Sequence, residues 1–354
     1  MRSLVLLGFV TMSACSGASD PPATKTDADY KQEIVTQMHG ALLTDLDGLV
    51  TSATQMQAAA PLPKGRGWDK TGDAAALVAM QTAWLAARES YEHVEGALAP
   101  IFPDLDRALD ERYDGFLEGL AGKGDDYLFD DKGVTGMHAA ERILFLETTP
   151  ANVVAFEASL PGYKAAAWPA DEAEAADFKN KLLAKIIVDA KAIRDSWRPA
   201  KIDIGTAYQG LIGLVNEQKE KVNKASEGSE ESRYAQRTMK DLRANLVGTK
   251  KIYVLFSPWL RSKAGGAAID DQILAGFARL DVAYAAVTTD AIPAPPPTWS
   301  AEAPSAADRA TPFGKLWTAV HEAVDPTKKE SVVGQMNAAA VVFGFPSFVE
   351  GKAR

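Results

Sequence analysis

In GVTGMHAAERILFLE, residues 133–147, a histidine and a glutamate stand three positions apart, His138 and Glu141. Residues at i and i+3 of a helix project side by side. An imidazole and a carboxylate offered together to one point suit a borderline divalent metal such as zinc or iron. On a solvated surface the same pair would make only a weak contact, so the surrounding residues decide. Gly136 stands near the start of the helix, where glycine costs about 0.5–1 kcal/mol against alanine, and this predicts a close backbone approach there. Thr135 is placed to cap the helix. Upstream, Trp84, Arg88, Tyr91 and Glu95 follow at spacings of four, three and four and form one helical stripe. Such a stripe carries Glu95 into a bundle interior, where a lone charge needs a partner and a metal would supply one.

An acidic segment follows at once, with Asp104, Asp106, Asp110, Glu111 and Asp114. Asp106 and Asp110 share a helix face, and Asp104 is a candidate cap. Acidic residues in a first turn also complement the helix dipole without any ligand. Glu95 and Asp106 bracket the corner made by Pro100 and Pro103, so both could reach one cation. A helix over 104–120 carries the chain about 25 Å away, and the loop of about 14 residues before Thr135 can span about 45 Å, which lets His138 return. The remaining histidines, His39, His93 and His321, read as structural or exposed, with His93 in a solvated position.

The elements that must hold these groups read as almost entirely helical. Alanine, leucine, lysine and glutamate dominate, and alternating β-branched runs are scarce. The pattern predicts helices near 28–59, 73–99, 104–120, 135–147, 169–197, 203–225, 231–262, 267–287, 305–324 and 329–342. A proline-rich loop spans 291–305. With no short-period repeat, a solenoid is disfavoured and stacked bundles remain. The expected fold is all-α, with one helical bundle over residues 30–200 that holds the His-x-x-Glu pair and a second over 201–354.

The chain opens with Arg2, an apolar run from Leu4 to Val10, and the small residues that lead into Cys15. This reads as a lipoprotein signal peptide over 1–14, too short to span a bilayer. Cys15 is the only cysteine of 354 residues, so it has no internal disulfide partner, and lipidation gives it a role. Residues 15–29 read as a flexible tether. The expected location is the bacterial periplasm, with a lipid anchor in the cell envelope and the outer membrane favoured by Ser16 after the cysteine. Removal of Arg2 with the signal takes the net charge from −9 to −10, which argues against nucleic acid as a partner.

Taken together, Gly136-x-His138-x-x-Glu141 and the stripe Trp84, Arg88, Tyr91 and Glu95 resemble the imelysin-like family. The segment Tyr91–Asp114 is similar to its counterpart in the EfeM/EfeO iron-uptake lipoproteins. A later stretch is similar to the same group through Glu217, Arg233, Tyr234, Asp241, Asn245 and Gly248. The resemblance runs from about residue 30 to 285 and is strongest over 84–145. It implies two packed helical bundles and a metal site with His138 and Glu141 as ligands, then Glu95 and Asp106, with Asp110 behind them. It also implies a part in taking up iron, as a divalent or trivalent ion, beside a membrane iron permease and a haem peroxidase, with zinc as the alternative metal. Two features depart from the family: the copper-binding-like β domain that many members carry has no counterpart in this sequence, and Met137 and Ile143-Leu144-Phe145 replace the usual aromatic and Leu-Trp around the motif. The competing reading is a zinc-dependent peptidase, for which Glu92, Arg88 or Asp110 would supply the second catalytic group. A polyanion-binding role is disfavoured by the charge of −10.

Overall fold

The computed structural model describes residues 25–350, and among them every regular element is helical. Cys15, the expected signal segment over 1–14 and most of the expected tether lie outside the described residues. Helix α1 (Asp27–Ala59) opens on a capping box between Thr26 and Asp29 and buries Ile34, Met38, Leu42, Leu46 and Leu49, spaced three or four apart. Alongside it lies α2 (Ala74–Glu92), whose inward face includes Trp84, Arg88 and Tyr91. The chain then makes the short α3 (Glu95–Leu98), α4 (Pro103–Asp110), α5 (Tyr113–Gly119), α6 (Gly136–Leu144) and α7 (Ala151–Ala158). Helix α8 (Glu172–Asp177) runs through a π turn into α9 (Leu183–Trp197). The C-terminal half holds α10 (Ile204–Lys224), α11 (Thr238–Arg261), α12 (Gly266–Ala285), α13 (Ala306–Arg309), α14 (Pro312–Val324) and α15 (Val332–Phe343).

In the N-terminal half, α1 packs on α2 and α9, and α6 packs on α2 and α4. In the C-terminal half, α10 packs on α11, α14 and α15, and α12 on α11 and α15. Contacts of α3 with α10, and of α11 with α1 and α2, join the two. Their buried apolar side chains merge into one core that runs from Met38 and Trp84 through Trp197 to Tyr253 and Phe343. Burying each such side chain contributes about 1.5–3 kcal/mol. A Cβ on Gly210 would collide with the Gly96 carbonyl, so α10 approaches α3 more closely than any side chain permits. Three turns further along α10, Lys221 Nζ stands 3.4 Å from Glu95 Oε2.

Several expected elements differ in the structure. The predicted helix over 73–99 is interrupted at His93 and Val94, and the one over 104–120 is interrupted at Glu111 and Arg112, both extended. The predicted helix from 231 begins only at Thr238, because the backbone N–H groups of Tyr234 and Ala235 are donated to Glu141 instead of to a helical ladder. Asp104 lies inside the first turn of α4 and does not cap it, because Pro103 already occupies the first position. Helix α7 was not expected from the sequence.

Candidate metal centre

Helix α6 is seated by its first residue. Gly136 has φ +79°, and a Cβ there would stand 2.8 Å from the Leu109 carbonyl oxygen and 2.9 Å from that of Ala108. The predicted close approach is therefore present, together with a backbone conformation that favours glycine. It docks the start of α6 on the end of α4, and so His138 meets Asp110. On the other side, Trp84 Nε1 donates to the Met137 carbonyl at 2.8 Å and ties α6 to α2. Thr135 occupies the N-cap position, but its side chain makes no capping bond.

His138 is 1% exposed and Glu141 is fully buried. Glu141 Oε2 lies 2.7 Å from His138 Nδ1, while its Oε1 accepts the backbone N–H groups of Tyr234 at 3.1 Å and Ala235 at 2.9 Å. With Nδ1–H donated to Glu141 Oε2, the Nε2 lone pair points the other way. There Nε2 faces Asp110 Oδ1 at 3.4 Å and Glu231 Oε1 at 3.6 Å, and it has no hydrogen-bond partner. Ligand atoms of Asp110, His138 and Glu231 all lie within 4.8 Å of one another. Metal bonds of about 2.0–2.2 Å hold neighbouring donors about 3.0–3.5 Å apart, close to the spacings found. The donor set of one imidazole and two carboxylates fits iron or zinc. A cleft of about 320 Å³ reaches Asp110 and Glu231 and is also lined by Glu95, Asp106, Lys221 and Arg112.

Cationic side chains balance the buried acids. Arg88 pairs with Glu92 and Asp110 and lies 3.1 Å from Glu231. Lys221 Nζ stands 3.4 Å from Glu95, 3.5 Å from Glu231 and 3.7 Å from Glu92. Burial pushes Glu92 up to about 8, against the pull of Arg88 and Lys221. Burial also pushes Glu231 upward, but Lys221, His138 and Arg88 outweigh it and hold this carboxylate well below its ordinary range. For His138, burial and Arg88 push downward, while Glu141 and Glu231 prevail and raise it. The acids around the ring therefore favour a positive charge on His138.

The structure brings some of the sequence-predicted residues together and gives others separate work. His138 and Glu141 are in direct contact, with Glu141 behind the imidazole on the side away from Asp110 and Glu231. Glu95 lines the cleft with its Oε2 at 2.9 Å from Asn245 Nδ2, and Asp106 lines it while accepting the Tyr91 hydroxyl. Asp110, ranked behind these in the sequence, faces Nε2 directly. Glu231 was missed, because it sits in the non-helical 225–237 connection where no periodicity marks a residue; its only signal was a paired acid, Glu230-Glu231, within a stretch of family resemblance. Asn245 links the halves through the Glu92 carbonyl at 3.1 Å and Lys221 at 3.1 Å. Of the other histidines, His39 donates from Nε2 to the Trp197 and Arg198 carbonyls, 3.1 and 2.7 Å away. His93, expected in a solvated position, is mostly covered and sits 3.3 Å from Asp45.

The imelysin family model, which carries a peptidase label, matches residues 35–322. The iron uptake system component EfeM of Pseudomonas syringae pv. syringae (strain B728a) is 28% identical over 220 residues, 60% of this chain and 62% of that protein. The match thus spans less than two thirds of that relative. The crystal structure of an imelysin-like protein from Psychrobacter arcticum 273-4 superposes with a TM-score of 0.59 at 10% identity, covering 92% of this chain and 99% of that one. At that identity the likeness concerns the fold alone.

Proposed function

The chain belongs to the imelysin family, and on that premise we propose that it is an extracytoplasmic metal-binding protein that carries iron as its cargo in an iron-uptake system. One observation carries the reading: a buried imidazole nitrogen, His138 Nε2, without a hydrogen-bond partner and 3.4 and 3.6 Å from two carboxylate oxygens. On this reading His138, Asp110 and Glu231 donate to the metal directly. Glu141 fixes the imidazole from behind, and Glu95 and Asp106 form the acidic wall by which a cation enters. Three protein donors beside an open cleft leave room for water or a further ligand on the metal. The similarity to an iron uptake component supports iron over other metals, with zinc accepted by the same donors.

The rest of the proposal follows the N-terminal sequence. Cys15 is the lipidated residue, the anchor holds the protein in the periplasm at the envelope, with the outer membrane favoured, and a membrane iron permease and a haem peroxidase are the partners. Among the described residues no helix is long and apolar enough to cross a membrane. Replacing Cys15 with serine should release the protein from the membrane fraction or leave it unprocessed; unchanged size and partition would refute the anchor.

Metal titration tests the cargo reading. Purified protein should bind ferrous iron anaerobically, and zinc, at about one equivalent per chain. Protein that binds neither would overturn it. Peptide cleavage abolished by Glu141→Gln would put the peptidase in its place. Against Glu141 as a peptidase's general base stands its engagement with His138 and two backbone N–H groups.

A further inference from the structure

Arg88 is 1% exposed, and its guanidinium is shared among four carboxylates. Its Nη1 pairs with Asp110 Oδ1 and its Nη2 with Glu231 Oε1. These are the same two oxygens that face His138 Nε2. Arg88 therefore already stands on the atoms that a metal at this centre would need. Neither of the other two carboxylates, Glu92 and Asp241, is paired with His138, although Glu92 also meets Lys221 and Asn245. Glu92 is one turn along α2 and pairs with Nη2. Asp241 Oδ2 lies 3.9 Å from Arg88 Nε, and the two buried atoms face each other without a hydrogen bond.

Resting on the metal-binding reading, we propose that Arg88 is a displaceable counter-cation: it competes with the metal for Asp110 Oδ1 and Glu231 Oε1, and Glu92 and Asp241 carry it when the metal holds those oxygens. Two cations a few ångströms apart repel, the more so as Arg88 is buried, so one must yield. The half-made Nε contact to Asp241 gives the guanidinium somewhere to go, because a shift of under an ångström brings 3.9 Å into hydrogen-bonding range. Buried charge stays paired in both positions, which avoids the cost of an isolated ion. The consequence is a centre that binds its cargo and also pushes it out. A carrier needs that property and a structural metal site does not.

The test uses the purified chain with zinc alone as a redox-inert probe, reading the dissociation constant by chelator competition and the off-rate by stopped flow. Arg88→Gln should tighten binding and slow release by about tenfold or more, since it removes the competitor. Asp241→Asn should weaken binding by about tenfold, since it removes the alternative seat. In the double variant the Asp241→Asn effect should vanish. A merely structural arginine predicts the opposite sign for Arg88→Gln. A folded Arg88→Gln that binds zinc no tighter and releases it no slower overturns the proposal. If that variant does not fold, Asp241→Asn decides, and an unchanged dissociation constant overturns it. A parent protein that binds no metal refutes the underlying function instead, before any variant is made.

Discussion

Which nitrogen of His138 would meet a cation at the proposed centre is decided by Glu141, whose carboxylate holds Nδ1 at 2.7 Å. With Nδ1–H donated to Glu141, the Nε2 lone pair is the ring site left for a cation beside Asp110 and Glu231. Glu141→Gln keeps the shape but offers an amide N–H where a carboxylate oxygen stood, so the imidazole is no longer held in the competent tautomer. Metal affinity should fall by about 10–100-fold with helicity unchanged, by calorimetric titration and circular dichroism. An affinity equal to the parent's would refute the orienting role. His93→Ala should leave binding unchanged, since its nearest charged partner is Asp45 at 3.3 Å, outside the centre.

At the scale of elements, α6 is positioned by Gly136, and the residue pays for that position in two ways: a φ of +79° and two carbonyls where a Cβ would sit. Gly136→Ala should destabilise the protein by about 2–4 kcal/mol in urea unfolding. A change under half a kcal/mol would show that the α6–α4 junction is loose. On α14, His321 is stacked on Trp317 and held by Asn223 at 3.1 Å; burial, aided by Lys219, lowers it to about 4. An imidazole that resists protonation in the folded state binds fewer protons than in the unfolded chain, where it titrates near 6.5. Its stabilising contribution is complete above that pH and is lost as pH falls toward 4. His321→Gln should flatten the decline of stability over this window; an identical decline would refute it. The same scale explains what the sequence made legible. The α6 motif and the α2 stripe were readable because helical spacing and an oddly placed glycine leave a local mark. The break at Glu111–Arg112 was not, because both residues favour helix and the interruption serves a distant contact, Arg112 with Glu231 at 3.8 Å. Glu231 was hidden for the same reason, since a loop ligand is chosen by tertiary structure and leaves no period.

Over the whole molecule, the centre lies where the two halves meet. His138, Glu141 and Asp110 come from the N-terminal half, Glu231 and Lys221 from the C-terminal half, and Asn245 bridges them. A metal bound by both halves stabilises the folded chain by linkage, about 2.7 kcal/mol at a free concentration one hundred times the dissociation constant. Thermal unfolding with zinc should show that rise in the parent, and its absence would mean the metal binds the unfolded chain equally well. The most direct measurement of the central claim is anaerobic ferrous iron titration of the parent beside His138→Ala and Glu231→Gln, each checked for parent-like helicity. The account predicts about one tight equivalent per chain in the parent, none in His138→Ala and a marked loss in Glu231→Gln. Folded His138→Ala that binds iron as tightly as the parent would contradict it.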